Sequence, residues 1–295
     1  MAESKSPQAR RGVAVAAGRA IVAGLLLLAA GLPVFAASGS GDGSRVVDDK
    51  WVIGVGGYLA EFKTDASVGS GRVLGTSIRF EDQLGVDARQ TFFRLDGLRR
   101  FGDRHAIGFG LWTLNRNGTA TINEQIEFDG NIFDIGVDLN SQFNTRWFRV
   151  DWRYSLLRTE TGEAGFTAGL SNYEVRASIE GLATVSDGMG GTIRQAARAE
   201  ENVFAPVPTI GMFMTHAFRP NLVLRMKAEF LDLDVGDFEG KVTDTTLLFE
   251  WYFSRHVGVG AGLNKSDIDV RSVGDNPFLI DFSQSGFLGY FTFAF

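Results

Sequence analysis

The stretch GYFTFAF, residues 289–295, decides how the rest of the chain is read. Phe291, Phe293 and Phe295 fall at every second position, and Phe287 stands in phase just upstream. Alternation at period two is strand geometry, so all these rings go to one face of a sheet. In water that face needs a second layer of protein over it. In a membrane barrel, lipid covers it.

The other end of the chain points the same way. Residues 1–20 carry Lys5, Arg10, Arg11 and Arg19 against a single acid, Glu3, and the uncharged run AIVAGLLLLAAGLPVFA follows. A basic segment, an apolar segment and small residues at the exit describe a secretory signal peptide over residues 1–36. Downstream, no apolar run approaches the roughly 20 residues that a spanning helix needs. The expectation is an exported chain without a helical anchor. Residues 37–50, small and polar, read as a flexible N-terminal tail, and residues 51–295 as the folded domain.

Composition narrows the chemistry. There is no cysteine, which excludes disulfides, thiolate metal sites and cysteine nucleophiles. Removing residues 1–36 takes the formal charge from −6 to −9, which argues against nucleic acid as a partner. The 37 glycines and 25 phenylalanines beside 6 prolines suit many closely packed strands.

Alternation runs through the whole domain. In TRWFRVDWRYSLL (145–157), Phe148, Val150, Trp152, Tyr154 and Leu156 face one way, and Arg149, Asp151 and Arg153 the other. Ten such spans are read, near 51–62, 90–101, 106–116, 145–157, 164–179, 202–218, 222–233, 242–253, 257–270 and 282–295. Tight connections at 102–105, 158–163, 219–221 and 254–256 alternate with long polar stretches near 64–88, 118–142, 182–201, 234–241 and 271–281. Short turns on one side and long loops on the other is the plan of an outer-membrane barrel. The fold expected is all-β, a closed antiparallel up-and-down transmembrane barrel of about ten strands. A twelve-strand count would need another span near 275–282. GRVLGTSIRF (71–80), with the helical-looking EDQLG after it, is placed above the membrane within the first long loop. Pro206 and Pro208 are expected at or above the outer membrane boundary, where a bulge would leave the ladder below intact.

A secreted β-sandwich also alternates, but three features oppose it. Aromatic residues gather at strand ends (Trp51, Trp152, Tyr154, Trp251, Phe253, Phe291), the opposite face carries charges of both signs, and the last strand is aromatic. With its leader, its alternating spans and its terminal FTFAF, the chain resembles Gram-negative outer-membrane β-barrel proteins. That resemblance implies an outer-membrane location, and it implies that Phe291, Phe293 and Phe295 are read by the barrel-assembly machinery. The glycine usual five residues before the last aromatic is displaced: Tyr290 holds that place, beside Gly289. FRLDGLRRF and EDQLG resemble the small, porin-like barrels of the OmpW-like kind, which bring no catalytic motif with them.

Candidate chemistry is sparse, and no enzyme, cofactor or metal is expected. His105, His216 and His256 all fall at or beside the short turns, far from the long loops. Serine–histidine catalysis needs the two groups within hydrogen-bond reach, with a third group orienting the base. In GVGAGLNKS (258–266) the lysine lacks the glycine before it and the helix after it that a phosphate-binding loop requires. Asp232, Asp234, Asp237 and Glu239 have spacing that suits calcium, and equally suits a solvated hairpin. Ile132, Phe133 and Ile135 either meet a ligand or pack their own hairpin. The distinctive residues point inward: Arg94, Asp96, Arg100, Arg149, Asp151, Arg153, Arg225, Lys227, Glu229 and Glu250. Facing lipid, each basic one would cost about 2–4 kcal/mol at mid-membrane, so they line the lumen. The role expected is structural or narrowly porin-like, with a charged network plugging the lumen. Outer-membrane lipids and the assembly machinery are the partners expected. A barrel enzyme acting on lipid or peptide, or a surface adhesin using the long loops, is the alternative.

Overall fold

The computed structural model of the protein describes residues 48–68, 76–128, 131–186, 191–273 and 277–295. The expected signal peptide (1–36), most of the tail, and the first part of the 71–80 segment lie outside the described residues. Ten long strands make the wall: β1 (Trp51–Val68), β3 (Arg89–Phe101), β4 (His105–Thr121), β7 (Asp138–Arg158), β8 (Gly162–Ser186), β9 (Thr192–Arg219), β10 (Leu222–Val235), β11 (Phe238–Tyr252), β12 (Val257–Ser272) and β13 (Phe278–Ala294). Three short strands, β2 (Ile78–Arg79), β5 (Ile126–Phe128) and β6 (Asn131–Phe133), and one helical turn, α1 (Phe80–Gln83), belong to the connections.

Pairing is antiparallel throughout, in the order β8-β7-β4-β3-β1-β13-β12-β11-β10-β9, and β9 pairs back onto β8. The ring therefore closes on ten strands. Residues 278–282, where a twelve-strand count would look for another span, are the start of β13. Closure leaves no unpaired sheet edge in the lipid-covered part of the wall, as a hydrocarbon surround requires.

The period of two sorts every strand into an inside and an outside. On β1, Tyr58, Ala60 and Phe62 are buried, while Leu59 points out and is 54% exposed. The exposed large residues form a continuous outer belt that includes Phe93, Phe148, Phe166, Ile210, Phe230, Phe249, Leu263 and Phe287. Phe291, Phe293 and Phe295 extend it downward, joined by Trp152, Trp251 and Phe253 at the short-turn end. On β1 the belt runs from Trp51 to Leu59 and stops at Glu61, roughly 26 Å along the strand at ~3.3 Å per residue. At a strand tilt of about 40° this is about 20 Å of height, most of the ~25 Å apolar band of membrane barrels. Water would not tolerate this surface, and lipid explains it.

The four tight turns are where the spacing puts them, and Gly102, at φ +64°, makes the first. The far side differs from expectation. Most of 182–201, 234–241 and 271–281 is strand, because β8 to β13 run on past the belt before turning. The acidic stretch 232–240 is one such hairpin, turning at Gly236 (φ +61°), with Asp232 opposite Lys241 and Asp234 opposite Glu239. β5 and β6 form a small hairpin that pairs with the upper part of β8, and its Phe133 is fully buried while Ile135 is 66% exposed.

The first loop is also corrected. Its described part does not stand above the barrel but folds into the mouth. Ile78, Phe80, Leu84 and Val86 are buried against inward-facing Phe62, Leu114 and Phe143. Glu81 of α1 accepts from the backbone of Thr64 (2.8 Å) and from Arg116, whose guanidinium lies between the rings of Phe62 and Phe143. Ile78, Phe80, Leu84 and Val86 had a lumen to fill, and this decided where the loop went.

Pro206 and Pro208 produce no bulge. The β8–β9 register runs unbroken past both, with Asn172 opposite Pro206 and Leu170 opposite Pro208. On the other side of β9 the ladder with β10 ends at Ile210–Phe230, just short of Pro208. Proline brings no N–H to a ladder, and here the deficit falls on the β10 side.

Candidate functional site

The lumen is filled in three zones, each set by which residue types occupy the inward positions. At the short-turn end Val52, Leu98, Ala106, Ala217, Val223, Tyr252 and Ala294 pack into an apolar base. Above it lies a charged layer. Above that, an apolar upper zone takes in Phe62, Phe143, Ile179, Ile268 and Phe282 together with the inserted loop.

The charged layer is built from the alternating positions of β3, β7, β10 and β11. Arg94 and Asp96 are partners on β3, Nε to Oδ2 at 2.6 Å. Arg149 of β7 is the hub: it meets Asp151 on its own strand (3.1 Å), Glu229 of β10 (3.3 Å) and Asp96 of β3 (3.8 Å). Asp151 also accepts from Arg153 (2.7 Å), and Glu229 from Lys227 (2.5 Å). Arg149 is 5% exposed and its partners Asp151 and Glu229 are buried with it, while Asp96 is 36% exposed. Trp147 lies under both Arg94 and Arg149, with guanidinium carbons 5.3 and 5.2 Å from its ring centre. Such contacts are worth about 2 kcal/mol or more when desolvated.

All ten inward residues expected from the alternation lie on the lumen side, but not in one network. Arg94, Asp96, Arg149, Asp151, Arg153, Lys227 and Glu229 form the connected chain just described. Arg225 and Glu250 make a separate pair at 2.9 Å, and Glu250 also accepts from the hydroxyls of Tyr252 (2.9 Å) and Tyr290 (3.0 Å). Arg100 sits lower, on Glu163 at 2.7 Å, with Ser155 donating to the same carboxylate. Glu163 was not read from the sequence because it lies beside a tight turn, where a charge carries no signal of direction. Asp244, held by Asn264 Nδ2 at 3.1 Å, was readable: it is in phase with Glu250 on β11.

Small residues make room for this packing. A Cβ at position 260 would fall 2.2 Å from the ring of Tyr290, so glycine there lets that tyrosine reach Glu250. Between the charges remains a cavity of about 110 Å³, lined by Arg94, Arg153, Arg225 and Lys227 among others.

The other candidates are dispersed. His105 stacks on Trp152 at 5.7 Å on the outside of the short-turn end. His216 packs edge-on to Phe218 at 4.8 Å, and His256 Nδ1 lies 2.8 Å from the carbonyl of Ala294. Among the described residues, no group of three or more His, Asp or Glu is placed to hold a metal. Residues 258–266 are plain strand within β12, with Lys265 on Asp267 at 3.2 Å.

No known family model matches the chain, and no curated protein does. Among solved structures, the outer membrane protease OmpT from Escherichia coli is similar over 83% of this chain and 96% of its own, with a TM-score of 0.55 at 10% identity. The toluene transporter TodX of Pseudomonas putida covers 84% and 93% at a TM-score of 0.33 and 8% identity. OprG from Pseudomonas aeruginosa covers 84% and 96% at 0.32 and 10%. The similarity to OmpT is one of fold, and the two lower scores carry no argument. The chain has the fold of a Gram-negative outer-membrane β-barrel.

Proposed function

We propose that the protein is a structural barrel of the outer membrane whose lumen is closed to ions along its axis. The observation that carries this reading is the Arg149 hub with the apolar base beneath it. A water-filled pore needs a continuous polar path, and barrels of ~8 strands are just filled by side chains while open channels appear at ~16–18. Ten strands lie near the filled limit, and most of the inward charges are buried against partners of opposite sign. The protease named above shares the ring, but the three histidines of this chain stand at the short-turn end, so no catalytic reading is transferred.

The test is electrical. Purified protein inserted in a planar bilayer is expected to show no steady conductance at any moderate voltage. Large, stable channels from the unaltered chain would overturn the reading and favour a porin.

The belt is the surface for outer-membrane lipids, and Phe291, Phe293 and Phe295 are the residues offered to the assembly machinery. Phe295→Asp is expected to lower the amount of folded protein recovered from outer membranes, scored by heat-modifiable mobility. Normal recovery would remove Phe295 from that role.

A further inference from the structure

A groove of about 720 Å³ lies on the outer face of the wall, across β1, β13, β12 and β11, at the upper edge of the lipid belt. Strand register explains it. Outward positions pair across the strands in rows, and two neighbouring rows make the groove. The lower row is apolar: Leu59, Phe287, Leu263 and Leu247. The upper row is Arg89, Glu61, Ser285, Lys265 and Thr245. Ser285 puts a short side chain between two long ones, and this hollows the surface.

Below the lower row the wall dips again. Gly57, Gly289 and Ala261 are cross-strand neighbours that all face out, with Phe93 and Phe249 at the two ends of their row. A Cβ at position 289 would meet nothing within 4 Å, and one at 57 would make only an ordinary contact with Thr91. Packing inside the protein therefore does not call for glycine at either place. We propose that this face holds one phosphorylated glycolipid of the outer leaflet, its phosphates on Arg89 and Lys265 and an acyl chain running down past Ser285 into the notch. The proposal goes beyond the structural role above, because it concerns the outer wall and holds whether or not the lumen conducts.

Charge and spacing select this occupant. The long-loop end of such a barrel is extracellular, so the belt's upper edge meets the head groups of the outer leaflet. Arg89 and Lys265 stand three strand spacings apart, about 14 Å at ~4.8 Å each. That span suits a disaccharide with a phosphate at each end better than a single phosphate. Two carboxylates share the rim: Glu61 lies 3.3 Å from Arg89, and Asp267 3.2 Å from Lys265. Exposed pairs of this kind contribute little, and a phosphate offers each cation more acceptor oxygens. Lys63, one row higher, also faces out and has no ion pair among the described residues. The row above that turns acidic, with Asp65, Asp281 and Asp269 side by side, which keeps phosphate at the rim of the groove.

Native mass spectrometry of the protein in mild detergent, with lipid A added, reads the result. One lipid A is expected to stay on each barrel, and phosphatidylglycerol is expected not to displace it. Arg89→Gln with Lys265→Gln is expected to cut the bound fraction severalfold, as is removal of one phosphate from the probe. Arg146→Ala, outward on the far side of the ring, is expected to leave it unchanged. Ser285→Phe fills the groove and is expected to lower binding with the barrel still folded; Gly57→Leu serves if Ser285→Phe fails to assemble. Several lipids per barrel, indifferent to these variants, would overturn the site. Phosphatidylglycerol held as well as lipid A would overturn the glycolipid. A protein dimer in place of the lipid adduct, lost in Ser285→Phe, would give the groove to a second copy of the chain instead.

Discussion

Arg149→Met is expected to lower the stability of the folded barrel by about 3–5 kcal/mol, the usual cost of stripping one partner from a buried ion pair. Arg149 is the group through which β3, β7 and β10 are tied across the lumen. Methionine fills similar space without the charge, so the loss comes from the broken contacts to Asp96, Asp151 and Glu229 rather than from a void. Asp151 keeps Arg153 and Glu229 keeps Lys227, which bounds the damage. Urea unfolding in lipid vesicles, followed by tryptophan emission, measures the change. Adding Glu229→Gln to Arg149→Met is expected to deepen the loss, since it strands the buried Lys227, the partner of Glu229. A single variant as stable as the parent would show that the hub is not what holds the lumen together.

The residue next to the hub gives the opposite experiment. Val150 points outward into the belt and is 38% exposed, between Phe148 and Trp152 on the same face. Val150→Arg places a guanidinium in lipid at a cost of about 2–4 kcal/mol, with no partner in reach. The expected result is a sharp fall in folded protein and a matching loss in vesicle unfolding experiments. Arg146→Ala is the control. Arg146 faces out above the belt, 66% exposed and 3.8 Å from Glu174, where a surface pair contributes about 0–1 kcal/mol. If Val150→Arg proves as mild as Arg146→Ala, the belt is not in contact with hydrocarbon.

The sequence by itself determined the ring. Period-two alternation is a local property, and in TRWFRVDWRYSLL it states which side each residue takes before any partner is known. The same logic carried the ten inward charges to the lumen and the terminal phenylalanines to the lipid, and the tight turns set the order of the strands. Alternation says nothing about what meets what across the interior. That Arg149 reaches Glu229 while Arg100 turns down to Glu163 depends on ring curvature and stagger, which no single strand encodes. It also cannot say where a wall ends. The strands run beyond the membrane because their upper residues still find neighbours, and the first loop enters the mouth because its apolar side chains find a lumen to fill. Pro206 and Pro208 were visible as breaks in a ladder, but which of two ladders they broke was settled only when β8 paired along one side of β9 past both prolines and the β10 ladder stopped short of them.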